Sequence, residues 1–195
     1  EALVRSRNVP AVAVSARLKK PTLYEFLQSA GVGRLASEQH YGLALTLGGG
    51  ELSMEELATL YAMLANGGEW RPLARTLGET DPAPRRLISR EAAFITLDML
   101  QSNPRPDTGQ RAFPRVAWKT GTSWGFRDAW TAGVFGRQVL VVWVGNFDGS
   151  SNPAFVGVQT AAPLFFQIVD ALRSQGLDAG ELATATPPGL SRISV

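Results

Sequence analysis

The 195-residue sequence contains no cysteine and a single histidine, His40. Without cysteine there are no disulfides, no thiolate nucleophile and no sulfur-ligated metal, and one histidine excludes the paired-histidine metal motifs. No metal and no cofactor are therefore expected, and His40 reads as a loop or cap residue. A thiol-free chain fits an oxidising compartment, although thiols are avoided for many reasons. Long apolar runs are also missing. The longest strongly apolar run, Val139 to Val144, is far shorter than the roughly 20 residues of a membrane helix. Neither an anchor nor a targeting signal is expected among these residues. The net charge of +2 comes from scattered arginines without aromatic-basic alternation, which sets nucleic acid aside as a partner. What is present is 45% apolar and 18% charged residues, enough to bury a core in one large domain or two small lobes.

Helices dominate the first half of the chain. Thr22 and Glu25 form a capping box before "LYEFLQSAG", with Leu23, Phe26, Leu27 and Ala30 on one face and Gly31 as the stop. Ser53 and Glu56 repeat the device before "MEELATLYAMLANGG", where Leu57, Leu60, Tyr61 and Leu64 make the stripe to be buried. Glu55 and Glu56 suit the positive end of that helix. A third helix is predicted to start at Ser89, with Ala93, Leu97 and Leu100 inward. The prolines and arginines of "NPRPDTGQRAFP", Asn103 to Pro114, then break any period and read as a surface loop.

Past this loop the chain turns to strands: "VAWKTGTS", "DAWTAGVF" and "QVLVVWVG", the last two joined by Gly136-Arg137 as a two-residue hairpin turn. The third strand is apolar on both faces, which implies helices covering each side of the sheet. The segment from Ala162 would supply one cover, with Leu164, Phe165, Ile168, Val169 and Leu172 at helical spacing. The reading is an α+β chain: a helical lobe over 1–102, a loop over 103–115, strands and packing helix over 116–175, and a tail or linker over 176–195. Three strands are few for such a sheet, so further strands are expected from outside this chain.

The chemistry concentrates on "AWKTGTSWGFRDAW". Alternation on a strand places Lys119 and Gly121 on one face and Thr120 and Thr122 on the other, unless the strand twists at an edge. A glycine there lets a ligand approach the backbone, and an edge strand offers N–H groups to an extended peptide or an oxyanion. Together these describe a site for acyl chemistry on a short peptide that ends in a carboxylate. Lys-Thr-Gly alone is weak, since a given tripeptide occurs by chance in about a few per cent of chains this long. Ser-x-Asn is weaker and occurs twice, at Ser6-Arg7-Asn8 and at Ser150-Ser151-Asn152, where a turn is expected. Asp128 orients a strand end or pairs with Arg127. Trp118, Trp124 and Trp130 either wall a cleft or pack in core and rim.

Order strengthens the pattern. "ALVRSRNVPAVAV", then "YGLALTLGGGELSMEELATLYAMLANGG", then "KTGTSWGFRDAWTAGVFGRQVLVVWVGNFDG" resembles the transpeptidase domain of class A penicillin-binding proteins, and the last run looks most like the penicillin-binding protein 1C branch. The resemblance reaches from Glu1 to about Leu172. It implies a partial penicillin-binding protein/serine β-lactamase-like fold, and a serine acyl-transferase acting on the penultimate D-alanine of peptidoglycan stems and binding β-lactams. By that resemblance Ser6 relays a proton to an amine, Asn8 holds the substrate amide, and Lys119 places positive charge beside Ser6. Thr120 and Thr122 hold the terminal carboxylate, with Gly121 and Ser123 completing the substrate strand and the Thr122 N–H forming half of an oxyanion hole.

One departure matters. The family's nucleophile and its lysine form a Ser-x-x-Lys motif, which occurs nowhere in these residues; Ser15 comes closest, and Lys19 is one position too far. The expectation is a C-terminal portion of a longer domain, partnered by the missing N-terminal portion and inert alone, since an acyl-enzyme needs an atom to carry the acyl group. The resemblance also implies a membrane-anchored parent at the periplasmic face of the bacterial inner membrane, reached only through parts outside this chain. Two alternatives stay open: a β-lactamase or D,D-carboxypeptidase of the same fold, and a noncatalytic module that holds peptidoglycan or a partner.

Overall fold

The computed structural model describes residues 1–79, 83–177, 182, 185–191 and 193. Helix α1 (Asn8–Ser15) is followed by α2 (Leu23–Ser29), the four-residue α3 (Glu38–Tyr41) and a 3₁₀ segment, Gly42–Leu47. Then come α4 (Met54–Ala65), β1 (Glu69–Trp70), β2 (Arg85–Arg86) and α5 (Arg90–Gln101). The second half contains β3 (Ala117–Thr122), β4 (Asp128–Phe135), β5 (Gln138–Gly145) and α6 (Ala161–Ser174). No helix of the described residues is long and apolar enough to cross a membrane.

Local chemistry fixes the helix starts. Thr22 Oγ1 accepts the Glu25 N–H at 3.2 Å while Glu25 returns an acceptor to the Thr22 N–H at 2.9 Å. Ser53 and Glu56 close the same reciprocal pair at 3.2 and 2.7 Å, and Ser89 caps α5 through the Ala92 N–H at 3.1 Å. Each pair satisfies donors that the first turn leaves without a helical partner. Gly67, at φ +62°, ends α4 in the left-handed region, and the N–H groups of Gly67 and Gly68 donate to Leu64 O at 3.1 Å and Met63 O at 2.9 Å.

Strands β3, β4 and β5 form an antiparallel meander, and Phe135 opposite Gln138 brackets the two-residue turn at Gly136-Arg137. One face of the sheet carries Ala117, Val134 and Val139 and packs on Leu97 and Leu100 of α5 and Tyr61 and Leu64 of α4. The other carries Trp118, Ala129, Phe135 and Val142 and packs on Phe165, Phe166 and Val169 of α6. A glycine at 133 makes that close approach possible, because a Cβ there would lie 2.8 Å from Phe165 Cζ. The helical lobe has its own small core of Leu27, Val32, Tyr41 and Leu45. Leu182 is buried against α5 and the sheet.

Two helix faces differ from the periodicity reading. In α6 the inward stripe is Ala161, Ala162, Phe165, Phe166 and Val169, and Leu164 is exposed. The stripe is rotated by the packing of Phe166 edge-on against Trp118, at 5.0 Å between centroids. In α4 the four expected residues are only half-buried and Met63 is the fully buried one. That helix lies between two cores, with Leu60 on the lobe cluster and Tyr61 and Leu64 on the sheet cluster. Helix α1 and the β1–β2 pair are not signalled in the sequence. "NVPAVAVS" has strand-like alternation and no side-chain cap, and two-residue strands are too short to show a period.

Candidate active site

Among the described residues β3 pairs with β4 alone, so its outer side is an open edge. Both faces of its C-terminal half therefore meet solvent, and Lys119, Thr120, Gly121, Thr122 and Ser123 all line one cleft of about 630 Å³. The alternation that would have separated lysine from threonines is overcome by this edge position.

Lys119 donates one hydrogen bond to Ser6 and another, of 2.9 Å, to the Thr120 carbonyl. Burial pushes its ammonium below the ordinary lysine value, since the charged form loses water. Ser6 is placed by a turn in which its N–H donates to Leu3 O at 3.1 Å and Arg7 N–H donates to Ala2 O at 3.0 Å. Its backbone lies at φ +51°, uncommon for a residue with a Cβ. Such strained conformers persist where the surroundings over-determine them, often at functional sites. Asn8 opens α1 and is exposed. Ser15 accepts a 2.7 Å bond from Thr46 Oγ1, and Lys19 is exposed; the cleft lining includes neither of these, nor Ser6 or Asn8, and Ser6 is joined to it through Lys119.

The strand's end is braced from three sides. Thr122 Oγ1 accepts the Gly157 N–H at 2.9 Å. Ser123 Oγ accepts the Asp128 N–H at 2.8 Å, and the Ser123 N–H returns a 3.0 Å bond to Asp128 O. Asp128 Oδ1 accepts the Trp143 indole N–H at 2.9 Å, so this carboxylate orients the start of β4. The three tryptophans divide: Trp118 is core and donates to Asn103 O at 3.1 Å, Trp130 is half-buried in the cleft, and Trp124 is 90% exposed at its rim. His40 sits in α3, where its own N–H is capped by Ser37. The second Ser-x-Asn is a turn, with Ser150 bonded to Asn146 and Asp148.

Sequence reading missed the other wall. Leu47 to Leu52, Leu57 and Tyr61 line the cleft together with β3, and Arg127 lines it from the β3–β4 connection. Tyr41 holds this wall: its hydroxyl donates to Glu51 and accepts the Ala36 N–H at 2.8 Å. The Tyr41 bond keeps the Glu51 carboxyl below its usual range. The run Gly48-Gly49-Gly50 was the available signal, since adjacent glycines suit close approach of backbone to a ligand.

The comparison with known families decides the assignment. The family model for the penicillin binding protein transpeptidase domain matches residues 1–163. The chain belongs to this transpeptidase family. Penicillin-binding protein 1C of Escherichia coli (strain K12) is 37% identical over 188 residues, covering 93% of this chain and 24% of the relative. Penicillin-binding protein 1B of the same strain is 29% identical over 180 residues, covering 85% and 21% respectively. The fold agrees with the crystal structure of penicillin-binding protein 1A from Haemophilus influenzae, at a TM-score of 0.74 and 21% identity, over 96% of this chain and 35% of that one. The chain thus spans about a quarter of the length of those curated relatives.

Proposed function

We propose that the chain is the C-terminal portion of a peptidoglycan D,D-transpeptidase domain that works through a serine acyl-enzyme and binds β-lactams. The observation that carries this reading is the Lys119–Ser6 hydrogen bond beside Thr120, Gly121 and Thr122 on an open strand edge. The nucleophilic serine and its lysine come from a Ser-x-x-Lys segment outside these residues. Its oxygen attacks the penultimate D-alanyl carbonyl, and the terminal D-alanine leaves as an amine that takes up a proton. An acceptor amine then attacks the ester and returns the serine.

Ser6 passes the proton to the leaving amine and, in the second half-reaction, receives one from the attacking amine. The half-buried ammonium of Lys119 favours the ionised form of that hydroxyl. Asn8, exposed at the start of α1, holds the substrate amide. Thr120 and Thr122 hydroxyls hold the terminal carboxylate, Gly121 admits the peptide against the backbone, Ser123 fixes the strand end, and the Thr122 N–H supports the developing oxyanion. The protein acts at the periplasmic face of the inner membrane, held there by parts outside this chain.

Intact-mass measurement after incubation with a labelled penicillin tests the reading. The chain alone is expected to take no label, and the full-length protein is expected to gain one adduct on a serine outside residues 1–195. An adduct on this chain alone, or none on the full-length protein, overturns it.

A further inference from the structure

Thr122 has a partner whose role no motif supplies. The Gly157 N–H donates to Thr122 Oγ1 at 2.9 Å across 35 residues, and Gly157 is buried over the paired Gly121 and Trp130 of β3 and β4. A Cβ at position 157 would lie 2.4 Å from Gly121 O, 3.0 Å from Trp130 O and 3.1 Å from Thr120 Cβ. Only a residue without a side chain brings its amide this close to the strand. The loop that carries it is itself fixed. Asn152 N–H donates to Phe126 O at 3.0 Å, and Phe155 N–H donates to Asn152 O at 2.8 Å. On the far side Ala162 N–H, in the first turn of α6, donates to Gly157 O at 2.9 Å.

A hydroxyl has one proton and two acceptor lone pairs. When a backbone N–H occupies an acceptor position, the proton must go elsewhere. Thr122 is exposed to the cleft, so its proton is left for whatever the cleft holds. A carboxylate only accepts, and it binds best to a hydroxyl that is already committed to donating.

We propose that Gly157 is a positioning residue for carboxylate recognition: its N–H orients the Thr122 hydroxyl as a donor, and its missing side chain lets the loop seat against Gly121. The proposal rests on the reading that Thr122 holds the substrate carboxylate. A backbone amide is fixed in orientation, so the donor geometry is set before the ligand arrives.

The test uses the full-length protein and two probes, a penicillin and its carboxylate methyl ester, with acylation rate constants and melting temperatures measured for each variant. Thr122→Val is expected to slow acylation by the acid about tenfold or more while barely changing the ester. Thr122→Ser keeps the hydroxyl and restores the preference for the acid. Gly157→Ala is expected to reproduce the Thr122→Val pattern, and the double variant Thr122→Val/Gly157→Ala to be no worse than either single one. If Thr122→Val leaves the acid preference intact, the carboxylate reading of Thr122 fails and the proposal with it. If Thr122→Val loses the preference while a folded Gly157→Ala keeps it, only the role of Gly157 is overturned.

Should Gly157→Ala not fold, amide hydrogen exchange in the unmodified protein decides. Protection at Gly157 should rise severalfold with the acid and not with the ester. Equal protection by both overturns the proposal.

Discussion

Lys119 donates to Ser6, a residue 113 positions earlier in the chain. Half-buried and facing a neutral hydroxyl, its ammonium has lost water without gaining a carboxylate. Its folded pKa therefore lies below the ordinary 10.5, and the unfolded state binds the proton more tightly. Folding stability should rise with pH from the folded pKa up to about 10.5 and be flat below that window. Lys119→Met should abolish acylation in the full-length protein, remove this rise, and leave the melting temperature at neutral pH equal or higher. Thermal melts across about pH 7 to 11 check the stability profile, since an unpaired ammonium costs stability when desolvated.

Arg105 is the second centre of charge. Its guanidinium bonds both oxygens of Asp170 in α6, at 2.9 and 2.8 Å, and both of Asp107, at 3.0 and 2.7 Å. It also lies over the Phe166 ring, 4.5 Å from the centroid. Arg105→Met should cost about 2 kcal/mol, a fall in melting temperature of roughly 4–8 °C at this size. Arg105→Lys should not restore it, because an ammonium cannot fork between two carboxylates. The bonds to Arg105 hold Asp107 below its usual 3.8. Its contribution is thus complete above 3.8 and lost as pH falls through the lower folded value, a loss that Arg105→Met should not show.

Gly68 joins α4 to the β1–β2 pair. Its carbonyl accepts the Leu87 N–H at 3.0 Å, its φ is +89°, and a Cβ there would lie 2.2 Å from Ile88 O. Gly68→Ala combines left-handed strain with a backbone clash and should destabilise by about 3 kcal/mol or more. Urea denaturation should show a lower midpoint with an unchanged slope.

Thr131, fully buried in β4 between Thr120 and Val142, has a hydroxyl with no hydrogen-bond partner among the described residues. Thr131→Val keeps the shape and removes an unsatisfied group, so it should stabilise by about 1 kcal/mol. A melting temperature that falls would mean that the hydroxyl is satisfied in solution.

Legibility followed the range of each interaction. The boxes at Thr22–Glu25 and Ser53–Glu56 and the cap at Ser89 involve residues three apart, so sequence spacing carries them. The meander from Ala117 to Gly145 was equally readable from alternation and a two-residue turn. The pairing of Ser6 with Lys119 could only be expected through resemblance to a family, because nothing local links them. Gly157, Arg105 and the Tyr41–Glu51 pair were invisible because their partners are set by packing. The rotation of α6 away from Leu164 has the same origin, since the choice between two adjacent apolar stripes belongs to Trp118 on the sheet.

The cleft is assembled from the segment before α4, from α4 itself and from β3 with its connection to β4. A molecule lodged there behaves as a rivet: it fastens the helical lobe to the sheet without itself bonding covalently to either. Occupancy and folding are then one linked equilibrium, and a ligand held at a hundred times its Kd adds about 2.7 kcal/mol to the stability of the folded chain. A rise in melting temperature is therefore a direct gauge of cleft filling, even where no bond is made or broken.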